Sequence, residues 1–237
     1  MKNTVGIIGA GSFGIFMAKQ LEGYCQVKLY SHSGRSNPWS ATIEEVASCD
    51  YLIPCIPLEA YRTMLSMIKP MLKTETAIVD ICSVKEESVR LIGEILPQHA
   101  VVATHPLFGP ESAPDSLAGH VLVLCPEVSD PDHVAKVGEF AKSLDLKVVQ
   151  MSIQEHDKEM AVVQGLTFFI AHALRDLGLQ HQRLETPSFR RLLHLSELEA
   201  LHSEELFYTI QRGNPRTAEV RDRFIQKLNK LNAAIEE

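Results

Sequence analysis

Three short stretches carry residue types whose spacing could do chemistry. The first is His105-Pro106-Leu107-Phe108-Gly109-Pro110-Glu111-Ser112, which follows a short apolar run from Ala100 to Ala103. The run reads as a buried strand, and the prolines and glycine after it predict a stiff loop that is neither helix nor ladder. An imidazole at the end of an inner strand is well placed to accept a proton at neutral pH, because its ordinary pKa is about 6.5. The second stretch is Asp80-Ile81-Cys82-Ser83-Val84-Lys85. Ser83 has Glu86 three residues on, so it reads as the N-cap of a capping box opening a helix from Glu86 to Leu96. It also stands at the carboxyl end of a strand, where open α/β sheets bind ligands, so a hydroxyl that orients a substrate is an equally open role.

The third stretch is Gly9-Ala10-Gly11-Ser12-Phe13-Gly14, between the apolar run Val5 to Ile8 and a helical pattern through Leu21. This is G-x-G-x-x-G in strand–turn–helix context, the setting in which the motif has meaning. Gly9 permits the tight turn, Gly11 lets a pyrophosphate approach the backbone, and Gly14 lets the helix pack against the strand. The free N–H groups and positive end of the helix, at Ser12 and Phe13, then face phosphate. Pro57, which stops the strand Tyr51 to Ile56, is a further candidate to line a dinucleotide.

The second strand, Val27 to Tyr30, bears on which dinucleotide. NAD sites usually end this strand with Asp or Glu to accept from the ribose 2′-hydroxyl. Here the residues are Ser31-His32-Ser33-Gly34-Arg35, with no carboxylate. A 2′-phosphate calls for hydroxyls and a cation, which Ser31, Ser33 and Arg35 supply, so NADP is expected over NAD.

Around these residues, strands of four to six apolar residues alternate with helical patterns up to a strand at Lys147 to Met151. That rhythm predicts a parallel, doubly wound α/β sheet of the Rossmann type over residues 1–152. From Ile153 the strands cease. One long helix from Glu155 to Leu177, a second from Thr186-Pro187-Ser188 to about His202, a third over Ser203 to Arg212 and a last over Thr217 to Ile235 predict an all-helical unit over 153–237. So many apolar helical residues are expected to pack against a second copy, giving a homodimer.

Composition narrows the classes. The chain has 237 residues and a net charge of −7, which argues against a nucleic-acid partner held by phosphate contacts. No run approaches the ~18 apolar residues a membrane helix needs, and no signal peptide is evident. The five cysteines (25, 49, 55, 82, 125) show no metal-ligand spacing and suit a reducing, cytoplasmic setting.

Taken together, the N-terminal fingerprint, Asp-x-x-Ser-x-Lys after an inner strand, His-Pro-x-Phe-Gly-Pro after the next and a helix opening His156-Asp157 resemble the prephenate/arogenate dehydrogenase family. The resemblance spans nearly the whole chain, and the tail through Phe207-Tyr208 and Asn214-Pro215 is more similar to the arogenate-using branch. It implies an oxidative decarboxylation of a cyclohexadienol. Hydride leaves C4 for the nicotinamide, the ring carboxylate leaves C1 as CO2, and the ring becomes aromatic. By the same resemblance His105 takes the hydroxyl proton, Ser83 hydrogen-bonds around that hydroxyl, and Arg190, in Thr186-Pro187-Ser188-Phe189-Arg190, grips a substrate carboxylate. Many relatives of that family carry a histidine where this chain has Phe168, so either Gln164 or Thr167 is expected to serve the side-chain carboxylate instead or the pocket differs. Arogenate has an ammonium where prephenate has a keto oxygen. A carboxylate in the pocket would favour the former, and Asp115 and Glu111 are the candidates; Asp115 read as a solvated loop residue is the alternative. A β-hydroxyacid dehydrogenase would place Asn four residues after the helix lysine, but Val162 follows Lys158 at that spacing. An NADP-binding regulator would need no His105, Ser83 or Arg190.

Overall fold

The computed structural model describes residues 3–236. Its contacts divide the chain into two compact units, one ending at Gln154 and the other beginning at Glu155.

The first unit holds seven strands: β1 (Thr4–Ile8), β2 (Gln26–Tyr30), β3 (Tyr51–Pro54), β4 (Ala77–Asp80), β5 (Val101–Pro106), β6 (Val121–Cys125) and β7 (Lys147–Gln150). They form one sheet in the order β2-β1-β3-β4-β5-β6-β7. Five helices accompany them: α1 (Ser12–Leu21), α2 (Ile43–Ala47), α3 (Leu58–Ile68), α4 (Lys85–Ile95) and α5 (Pro131–Ser143). Local chemistry explains several boundaries. Thr42 and Glu45 make a reciprocal capping box on α2, and Asp130 caps α5 by accepting from the His133 N–H, with Pro131 at its first position. Residues of α2, α3 and α4 share one core cluster with Ile8, Leu52 and Ile78. Those of α1 and α5 share another with Val5, Ile53 and Val79, so both faces of the sheet are covered. The β3–α3–β4 and β4–α4–β5 crossovers share one face, as right-handed connections require. On the other face an apolar cavity of about 220 Å³ is lined by Val5, Ile53 and Val79 of the sheet, Val137 and Phe140 of α5, and Phe108 and Leu117 of the loop after β5.

The sheet departs from the expected parallel arrangement at one place. β6 pairs antiparallel with β5, from Ala103↔Cys125 to Pro106↔Leu122. Residues 107–120 contain no helix, so this connection has no crossover element to carry the chain back for a parallel return. The same pairing corrects the expectation that the ladder stops before His105. His105 lies opposite Val123 within the ladder, and the loop begins at Leu107. Pro106 is tolerated there because the next N–H, that of Leu107, supplies the bond to Val121 O at 2.9 Å.

The second unit is helical throughout its regular structure. A single rod carries α6 (Ile153–Met160), a π-helical segment (Ala161–Leu166) and α7 (Thr167–Asp176). It is followed by α8 (Pro187–Glu199), α9 (Glu204–Gly213) and α10 (Thr217–Glu236). The sequence predicts the rod as uninterrupted α-helix. The widened turn instead has a tertiary cause at Gly165. A Cβ there would meet the Thr217 side chain at 2.9 Å, and Gln211 Nε2 donates to the Gly165 carbonyl at 2.7 Å. Thr186 caps α8 and Ser203 caps α9, each accepting from the N–H three residues on. On α10, Ile225, Leu228, Leu231 and Ile235 recur at three- to four-residue spacing and are exposed, as are Val162 and Val163 on the rod.

Candidate active site

Register brings the chemically suggestive residues to one edge of the sheet. Ile8, the last residue of β1, is paired with Tyr30 at the end of β2 and with Pro54 at the end of β3. Asp80 at the end of β4 is paired with Ala103, two residues before His105. Gly9, Ser31, Pro57 and Ser83 therefore follow strand ends at the carboxyl edge of the sheet, and His105 stands at the same edge as the penultimate residue of β5. Strand order reverses direction at β1, the point where doubly wound sheets form a crevice.

The Gly9 turn has the shape a dinucleotide needs. Gly9 adopts φ 111°, and a Cβ on it would lie 2.3 Å from the Cys55 carbonyl oxygen. A Cβ on Gly14 would fall 1.9 Å from Gly9 O, so only glycine allows α1 to start this close to the turn. At Gly11 the opposite holds: a Cβ would meet nothing within 4 Å. That open space faces the first turn of α1, which has no side-chain cap and no acidic residue. Ser12 and Gly11 are exposed, and Phe13 is half-buried. Uncapped N–H groups, positive dipole and absent carboxylate together fit the pyrophosphate of a dinucleotide. Beyond β2 the chain turns at Gly34, φ 70°, and gathers Ser31, Ser33 and Arg35. The two hydroxyl oxygens lie 3.2 Å apart, the Arg35 N–H donates to Ser31 Oγ at 3.0 Å, and Arg35 Nη1 donates to Ala10 O at 3.4 Å. The Arg35 side chain thus hangs over the glycine turn. Pro57 is the exposed N-cap of α3.

Around β4 and β5 the arrangement differs from the sequence expectation. Ser83 does not cap α4, which begins at Lys85 with Val84 as N-cap and no side-chain cap bond. The reason is Lys85 itself, which turns inward, is fully buried and pairs with the equally buried Asp80 carboxylate. Ser83 is left half-buried in the short loop between β4 and α4. His105 is 3% exposed. Tyr61 donates to Asp80 Oδ1 at 3.0 Å; burial, then the neighbouring carboxylate, hold its phenol well above the ordinary value. Asp80 belongs to the Asp-x-x-Ser-x-Lys motif, but sequence reasoning missed its buried pairing with Lys85 and the part of Thr104 beside them. The available signal was a carboxylate ending an otherwise apolar strand. Asp115 is exposed in the loop after Leu107, as is Glu111.

In the second unit, Gln164 lies in the π segment and its Oε1 is buried without a hydrogen-bond partner, while Thr167 opens α7. Phe168 is 4.8 Å from the His202 ring, centroid to centroid. Arg190 is exposed on the first turns of α8, which packs against α7, and its Nε lies 3.8 Å from Glu185. His156 and Asp157 are buried and joined Nδ1 to Oδ1 at 2.8 Å, and Asn214 donates to the Asp157 carbonyl at 2.6 Å.

Two family models match. Residues 35–150 match the prephenate dehydrogenase nucleotide-binding domain, and residues 152–237 match the prephenate dehydrogenase dimerization domain. Cyclohexadienyl dehydrogenase of Zymomonas mobilis is 26% identical, over 98% of this chain and 88% of its own. Arogenate dehydrogenase 1 of Arabidopsis thaliana is 29% identical over 93% of this chain, which spans 37% of that longer protein. Among solved structures, prephenate dehydrogenase of A. aeolicus with hydroxyphenyl propionate and NAD+ shares the fold at TM-score 0.77, with 21% identity over 99% of this chain and 91% of that one. Synechocystis arogenate dehydrogenase does so at TM-score 0.70, with 17% identity over 98% and 92%. With both of its domain models matched in order along one chain, the protein belongs to the prephenate/arogenate dehydrogenase family.

Proposed function

We propose that the protein oxidatively decarboxylates arogenate, with prephenate as the second candidate, and that its cofactor is NADP. The observation that carries this reading is the shared carboxyl edge, where an uncapped glycine turn lies on the same edge as the loop after β4 that holds Ser83 and the end of β5 that holds His105. A bound nicotinamide supplies the hydride acceptor. The chain's own part is to bind, to orient and to move one proton. Gly9, Gly11, Ser12, Phe13, Gly14 and Pro57 hold the dinucleotide, and Ser31, Ser33 and Arg35 take its 2′-phosphate, a role supported by the contact of Arg35 with Ala10. His105 accepts the proton of the ring hydroxyl, and Ser83 fixes the direction of that hydroxyl. Arg190 grips a substrate carboxylate with a planar fork that lysine lacks. Gln164, through its buried acceptor, and Thr167 contact the substrate side chain. Asp115 pairs with the ammonium that distinguishes arogenate.

Two copies of the chain pair through their helical units. The exposed apolar series on α10 and the match to a dimerization domain support this. Among the described residues no helix is long and apolar enough to cross a membrane; a cytoplasmic setting is proposed from the five cysteines, whose spacing suits a reducing compartment. The test is reduction of NADP and of NAD, followed by absorbance, with arogenate and with prephenate in all four combinations. Arogenate with NADP is expected to be the most efficient. Turnover in none of the four would overturn the reading, and a preference for NAD would overturn the role of Arg35.

A further inference from the structure

The Asp80 carboxylate and Lys85 ammonium are fully buried, an arrangement that contributes little to stability on its own account, because desolvation offsets the attraction. What the pair touches gives it another use. Asp80 Oδ1 accepts from the Cys82 N–H at 3.2 Å, and Oδ2 accepts from Ser88 Oγ at 2.6 Å. Lys85 also donates to the carbonyl of Thr104, the residue before His105. Thr104 Oγ1 in turn donates to Asp80 O at 2.9 Å. The pair therefore grips the backbone immediately before Ser83, the start of the helix immediately after it, and the peptide that leads into His105. All of these bonds but the part-buried one from Cys82 are buried, and the charged ones are the strong kind.

We infer that Asp80 and Lys85 are positioning residues that fix Ser83 and His105 relative to one another across β4 and β5, and that Lys85 is not a ligand of substrate or cofactor. This rests on the proposed roles of Ser83 and His105, but the physical claim, a brace between two segments, can be read separately. Removing one partner would strand the other as a buried charge and risk unfolding, so the informative variant is Asp80→Asn with Lys85→Met, which removes both charges at nearly constant volume.

Two measurements on this variant decide. Amide hydrogen exchange is expected to accelerate at 81–85 and at 104–107 together, while β1 and β2 keep their protection. Turnover is expected to fall by about 10- to 100-fold, mainly in kcat, with cofactor affinity and substrate KM within a few-fold of the parent, as for a geometric fault at the reacting atoms. Faster exchange in one segment only, or unchanged turnover, overturns the inference. So does a large rise in substrate KM at constant kcat, which would make Lys85 a ligand. If exchange responds in both segments while the parent turns over none of the proposed substrates, the brace stands and the functional reading fails.

Discussion

The glycine turn offers a prediction in which stability and binding separate. Gly11→Ala places a methyl group where nothing lies within 4 Å, on a backbone at φ −71° that any residue can adopt. Lower entropy of the unfolded chain favours the variant by ~0.4–1 kcal/mol, and the poorer N-cap offsets about as much, so melting should hardly change. The methyl would stand in the path of the pyrophosphate. Loss of one charge-assisted hydrogen bond costs about 1.5–3 kcal/mol, a roughly 10- to 100-fold weaker Kd. Gly14→Ala is the counterpart. Its Cβ would overlap the Gly9 carbonyl oxygen at 1.9 Å, and that atom belongs to a turn fixed at φ 111°. Overpacking of this kind costs about 1–3 kcal/mol or more, lowering Tm by roughly 2–12 °C. Fluorescence titration with the reduced dinucleotide, paired with thermal melts of both variants, reads the two effects. A Gly11→Ala protein that binds the dinucleotide within about threefold of the parent, or melts several degrees lower, would refute the reasoning.

Three further outcomes follow from particular side chains. Arg35→Ala should weaken NADP by about 10- to 100-fold while NAD changes only a few-fold, as measured by titration with both; equal losses would remove Arg35 from the 2′-phosphate site. Asp115→Asn should move the arogenate-to-prephenate efficiency ratio toward prephenate by a few-fold, since an exposed pair contributes up to about 1 kcal/mol; an unmoved ratio leaves Asp115 a solvated loop residue. Tyr61 is held protonated in the fold, so its contribution to stability is complete below the unfolded phenol's pKa of ~10 and declines as pH rises above it, because the unfolded chain can ionise there and the folded one cannot. Denaturant midpoints between pH 8 and 11 should therefore fall less steeply for Tyr61→Phe than for the parent, and equal slopes would contradict the assignment.

The parts of this molecule that show in its sequence are those fixed by local chemistry. Glycine types at 9, 11 and 14 announce the turn because each answers a steric demand visible from spacing alone. Pro131 after Asp130, and Pro187 after Thr186, mark where α5 and α8 begin, because a cap and a proline act within one turn. What was hidden depends on distant partners. The antiparallel return of β6 is decided by a loop without a helix, and the ladder through His105 and Pro106 exists only once β6 lies beside them. Ser83 looks like a cap until Lys85 is seen to point inward, and a lysine rarely does so without a buried carboxylate to meet it. The π turn at Gly165 needs Thr217 and Gln211, which lie far along the chain.

The central claim is that His105 takes the proton of the substrate hydroxyl, and the most direct measurement is steady-state turnover of His105→Asn beside its affinity for the reduced dinucleotide. Affinity should stay within a few-fold of the parent, and turnover should fall by about 10²- to 10⁴-fold, the usual contribution of a positioned base. Turnover within a few-fold of the parent, in a protein that still folds and binds the dinucleotide, would contradict the account.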